Sequence, residues 1–177
     1  METTRTRLLY IVAGFTIAYL LMGASPVMAQ DDCKVLEKVV ADASSKTFST
    51  PTHVYTTSKI GSQTFISEII YAAGSMYIKI NGKWTLSDSI KNVEQLTQQL
   101  RHDANSKDTC RNLKDELVNG EMASVYSSHS ETPKGSIDMQ MWVSKAKGLL
   151  LRQDTDSDGG KAVISSRYEY GNVKAPL

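Results

Sequence analysis

The feature that most restricts what this chain can fold into is a succession of short segments with two-residue alternation, separated by glycine turns. It is clearest at residues 136–144, where Ile137, Met139, Met141 and Val143 point one way and Asp138, Gln140 and Trp142 the other. That period builds the two faces of a strand and cannot line up one face of a helix. Related segments occupy residues 53–59, 63–72, 75–81, a run through Trp84, and residues 121–130, 149–155 and 161–170. Gly61 and Gly74 mark the first turns, and Asn81-Gly82 is a tight-turn pair because both central residues of such a turn take positive φ. The runs PKG, KAKG and DSDGG join the later strands.

Two segments have the helical period instead. After Asp31 and Asp32, which favour a helix N-terminus electrostatically, Cys33, Leu36, Val39, Val40 and Ala43 fall on one stripe, and Pro51 ends the run. Ser87 or Ser89 offers an N-cap for a second helix, in which Ile90, Val93, Leu96 and Leu100 share a stripe with Thr97 as its polar exception. The expectation is an α+β domain, a curved antiparallel sheet of about eight strands covered by two helices. A sheet of that size closes or wraps around something, which is where a cavity forms.

Residues 1–29 have the parts of a cleavable export signal. Arg5 and Arg7 give a positive start, Leu8 to Met22 an apolar stretch, Pro26 a helix break, and Val27 and Ala29 the small residues at minus three and minus one. The apolar stretch is short for a membrane span of about 20 residues, so cleavage after Ala29 is preferred to an uncleaved anchor. Gln30, Asp31 and Asp32 before Cys33 are not a lipidation box. Residues 30–177 are then a single domain with no stable membrane anchor. The whole chain has 20 Lys and Arg against 19 Asp and Glu, and losing Arg5, Arg7 and Glu2 with the leader leaves 18 of each. A neutral exported domain has no basic field for nucleic acid. In an oxidising compartment the two cysteines, Cys33 and Cys110, are expected to pair, with two buried thiols as the alternative.

The strand pair around Trp142 and Gly148 to Arg152, followed by Tyr168 to Gly171, resembles the C-terminal half of the periplasmic outer-membrane lipoprotein carrier superfamily. The hairpin at residues 76–84 and the turn Val118-Asn119-Gly120 are also of that kind, so the resemblance spans roughly residues 76–176. It implies a periplasmic protein with an incomplete β-barrel lidded by helices, whose apolar cavity takes lipids or the acyl chains of a lipoprotein. Residues 50–85 contain no arginine, whereas the carriers proper have one in an early strand.

Met76, Ile78 and Ile80 on one strand, and Ile137, Met139 and Met141 on another, are the candidates for lining such a cavity, because Met adapts to varied apolar ligands. Ordinary core packing against the helices is the alternative for the same residues. The function expected is therefore binding or carriage of an apolar ligand, or else a scaffold using the fold without a cavity.

No enzyme is expected, and no cofactor or metal. Asp154, Asp156, Asp158 and Gly159 match the start of a calcium loop, but its twelfth position is Ser165 where a bidentate carboxylate is needed. His53, His102 and His129 have no partner at metal-ligand spacing, and the chain has neither a nucleophile elbow nor a phosphate-binding glycine loop. Arg152 and Arg167, on consecutive strands, are candidates for pairing with carboxylates or a ligand head group.

Overall fold

A computed structural model describes residues 30–87, 107–133 and 135–177. The expected leader and the expected helix around Ile90, Val93, Leu96 and Leu100 lie outside the described residues. The described elements are α1 (Gln30–Ser49), β1 (Thr52–Ile60), β2 (Gln63–Ala72), β3 (Ser75–Ile80), β4 (Lys83–Ser87), β5 (Lys107–Asn112), β6 (Glu116–Val118), β7 (Glu121–Thr132), β8 (Gly135–Ser144), β9 (Leu150–Ser157) and β10 (Ala162–Tyr170). Among the described residues the sheet thus has ten strands rather than about eight; β5 and β6 are the additions, and both are short and poor in buried residues.

All pairings are antiparallel, and the order is β4-β3-β2-β1-β10-β9-β8-β7-β5, with β6 beside β5 on β7. The sheet is curved and does not close. Two meanders compose it, β1 to β4 and β5 to β10, joined where β1 pairs β10 over its whole length from Thr52 opposite Tyr170 to Ile60 opposite Ala162. The tight turns form as the sequence demands: Asn81 and Gly82 both have positive φ, and so do Asn119 and Gly120. Gly135 is required for a different reason, since a Cβ there would collide with the Asp158 carboxylate. That carboxylate accepts a hydrogen bond from the Ser136 amide at 2.9 Å.

Helix α1 lies on one face of the sheet, here termed the helix side. Its stripe of Leu36, Val39, Val40 and Ala43 packs on Met141, Val143 and Leu150, and Phe48 near its end meets Tyr71 with ring centroids 5.0 Å apart. Burying each such large apolar side chain contributes about 1.5–3 kcal/mol. Cys33 is bonded to Cys110, so a disulfide ties the first turn of α1 to β5. The two tyrosines at the centre, Tyr71 and Tyr168, are held protonated by burial, with the Tyr71 phenol pushed up to about 12.

This burial sets an alkaline limit on stability. A phenol whose pKa is raised by folding contributes stability that is complete below the unfolded value near 10 and disappears as pH rises through the folded value. For Tyr71 the loss is expected to reach roughly 3 kcal/mol between pH 10 and 12. Urea midpoints of wild type and Tyr71→Phe across that range test this: the variant must show the shallower decline, and parallel curves would refute it.

The other face carries two smaller apolar clusters. Ala123, Val125, Trp142 and Leu151 form one with Val118. Ile70, Ala72 and Tyr77 form the other, covered by Val173 and Ala175 of the C-terminal tail beyond β10. Deleting residues 172–177 is expected to expose this second cluster and cost about 1–2 kcal/mol. An unchanged urea midpoint would show that the tail contributes nothing.

Candidate functional site

Register and alternation assign every strand residue to a face. On the helix side, successive strands place Met76, Ile78 and Ile80 (β3) beside Tyr71, Ile69 and Phe65 (β2), then Val54, Thr56, Ser58 and Ile60 (β1), then Tyr168, Ser166 and Ile164 (β10). Gln153 and Thr155 (β9) and Met141, Met139 and Ile137 (β8) continue the same face. Helix α1 crosses only one end of it, from the disulfide at β5 to Tyr71 in β2. Beyond that end five large apolar side chains are left open: Ile60 (55 % exposed), Phe65 (51 %), Ile80 (55 %), Ile137 (38 %) and Ile164 (38 %).

The six expected cavity residues therefore divide by depth. Met76 and Ile78 join Val54, Tyr71 and Phe48 in the core, and Met139 and Met141 pack beneath α1. Ile80 and Ile137 stand on the open part. The two strands that carry them are five apart in the sheet order, so the face they share is broad. Ile60, Phe65 and Ile164 belong with them and were missed by the sequence reading. Each has a serine as a same-face neighbour in its strand, Ser58, Ser67 and Ser166 respectively, which weakens the apolar alternation. A usable signal was present in the complementary positions, where the charged residues of these strands collect.

A polar row crosses the helix side between the covered and the open parts. The Thr56 and Ser166 hydroxyls are hydrogen-bonded at 2.9 Å, with Ser67 in register on one side and Gln153 on the other. At the end under α1 the polar groups are fully used. The Leu150 amide donates to Thr47 Oγ1 at 3.1 Å, the Tyr170 hydroxyl donates to the Leu150 carbonyl at 2.5 Å, and the two hydroxyls meet at 3.0 Å.

The opposite face is charged and internally paired. Arg152 and Arg167 are register partners there. Arg152 stacks over Trp142 at 4.7 Å and bonds Asp154, while Arg167 stacks over Tyr55 at 4.9 Å and bonds Glu169 at 3.1 Å. Carboxylates thus hold both expected head-group arginines, on the face away from the apolar residues. Lys79 bonds Glu68 at 2.7 Å and thereby holds the Glu68 carboxyl below the ordinary range, with His53 adding to the effect at 3.1 Å. The Asp138 carboxylate, and secondarily Glu131, raises the pKa of His129.

A cavity of about 610 Å³ lies mainly on this opposite face, lined by Arg111, His129, Asp138, Gln140 and Asp154 among others. Met139 and Val163 line it as well as these charged and amide side chains. The aspartates of the calcium-like run have separate structural uses: Asp154 accepts from Ser165 and Arg152, Asp156 from the Gly160 amide, and Asp158 from the Ser136 amide. Among the described residues no three His, Cys, Asp or Glu side chains are placed to hold a metal. No described helix is long and apolar enough to cross a membrane.

No protein-family model matches the chain, and neither does any curated protein. Several solved structures are similar to it. The lipoprotein LppX of Mycobacterium tuberculosis is 13% identical over 80% of this chain and 99% of that one, with a TM-score of 0.49. LprF of Mycobacterium bovis is 13% identical over 81% and 95%, with a TM-score of 0.45. A complex of Pseudomonas aeruginosa MucA and MucB is 10% identical over 78% of this chain and 58% of the matched chain, with a TM-score of 0.47. The likeness is one of fold alone.

Proposed function

We propose that residues 1–29 direct export and are removed, and that the domain formed by residues 30–177 binds or carries an apolar ligand, a lipid or an acyl chain, in the periplasm. The observation that carries this reading is the open apolar part of the helix side. An ordinary solvent-facing sheet surface carries polar and charged side chains, and a group of large exposed apolar residues on one curved face marks a binding surface. Ile60, Phe65, Ile80, Ile137 and Ile164 form that group, and the core residues Ile78 and Met139 border it. No catalytic role is proposed for any residue.

Mass spectrometry of lipid extracted from the purified protein tests the reading. Phe65→Asp and Ile164→Asp change side chains that are already exposed, so folding should survive both. Each is expected to lower bound lipid at least tenfold, since a carboxylate would have to be desolvated against the chain. Wild-type lipid content in both variants would sink the proposal.

One observation favours a second reading, a protein-interaction module on the same fold: a cavity of about 610 Å³ bordered by charged and hydroxyl side chains lies mainly away from the apolar face. A stable protein partner lost on Arg111→Glu, with no co-purifying lipid, would establish it in place of the first.

A further inference from the structure

We infer that the apolar ligand is an uncharged lipid, whose chains carry ester or hydroxyl groups and no carboxylate or phosphate. This rests on the apolar-ligand reading and narrows it. The basis is where the charges fall. Strands β3, β2, β1, β10, β9, β8 and β7 are consecutive neighbours in the sheet, and every Asp, Glu, Lys, Arg and His within them lies on the face opposite the helix. Lys79, Glu68, Arg167, Arg152, Asp154 and Asp138 are examples, and several of them pair with one another. On the helix side of the sheet the described charges stand only in the two edge strands, Lys83 in β4 and Asp108 in β5. Asp108 already accepts a hydrogen bond from Ser130 at 2.7 Å.

The segregation continues past the end of α1 into the part that is open, where core packing does not account for it. Among the described residues, an anionic head group drawn onto the seven inner strands would leave water without meeting a cation there, since Lys83, the register partner of Ile80, stands in the edge strand. Uncharged polar atoms fare differently. The row Ser67, Thr56, Ser166 and Gln153 runs across four strands, half-buried, with Phe65 and Ile164 on its outer side and Ile69, Val54 and Tyr168 on its inner side. Hydroxyls donate and accept, and the Gln153 amide does both, so the row can meet ester carbonyls and hydroxyls of a lipid whose chains lie on the flanking apolar residues.

A competition between two lipids differing by a phosphate tests the inference. Protein purified from cells expressing the full chain is stripped of lipid and incubated with phosphatidylcholine vesicles containing equal amounts of dioleoylglycerol and dioleoylphosphatidic acid. It is then re-isolated and its bound lipids are quantified. Dioleoylglycerol is expected in at least tenfold excess over either phospholipid. Parity, or an excess of a phospholipid, overturns the inference and leaves the apolar-ligand reading intact, whereas uptake of no lipid overturns that reading itself. Gln153→Lys supplies a cation within the row and is expected to move the ratio at least tenfold toward phosphatidic acid. An unchanged ratio would remove the row from the site.

Discussion

Replacing Cys33 and Cys110 together with serine is expected to lower the unfolding free energy by about 4 kcal/mol, the chain-entropy value for a loop of this length. The bridge spans 77 residues and joins the first turn of α1 to β5 at one edge of the sheet, so it restricts the unfolded chain more than a local link would. It also holds the end of α1 farthest from Phe48, the aromatic contact at the other end. Urea unfolding of wild type with and without dithiothreitol, beside the double variant, measures the effect. Reduction and replacement must agree, and a shared loss under 1 kcal/mol would refute the assignment. Hydrogen exchange should show the cost first in the amides around Cys33 and Leu36, ahead of the C-terminal turn of the helix.

Thr47→Val is the second large effect expected, about 2–3 kcal/mol of destabilisation with almost no change in volume. Thr47 is fully buried, and its hydroxyl oxygen is the acceptor for the Leu150 amide and the neighbour of the Tyr170 hydroxyl. Valine fills the same space and leaves the amide without a partner in the dry end of the core. The Tyr170 phenol, pushed up to about 12 chiefly by burial, would lose the contact that opposes that rise. Thr47→Ser provides the control, since it keeps the hydroxyl and loses one methyl. Equal losses from Val and Ser would mean that packing, and not hydrogen bonding, fixes the end of α1.

How much of this was legible beforehand depended on how many buried residues each element contributes. The α1 stripe from Cys33 to Ala43 and the hairpin at Asn81-Gly82 were readable because each rests on a local rule, helical spacing in one case and positive φ in the other. Strand β5, KDTCRN, was not readable: only Cys110 is buried there, and an edge strand with one apolar anchor has no period to detect. For the site, alternation assigned Met76, Ile78 and Ile80 to one face correctly, but it carries no information on depth. Met76 is core and Ile80 is open because α1 stops between them in space, and the end of a helix over a sheet is a tertiary fact. The charges were the better clue, since their collection on one face follows from register that hairpin turns already set.

The pairing of β1 with β10 has a consequence for the order in which the protein can be built. During synthesis β1 emerges early, while the strand that must cover its free edge is the last of the ten described strands to appear. Until then the backbone amides and carbonyls of alternate residues along β1, those that face away from β2, stand unpaired beside the completed β1–β2 hairpin. The hazard of misassembly is therefore concentrated in one interval, between formation of that hairpin and arrival of residues 162–170, and a chain stalled or cut before those residues would present a ready template to its neighbours.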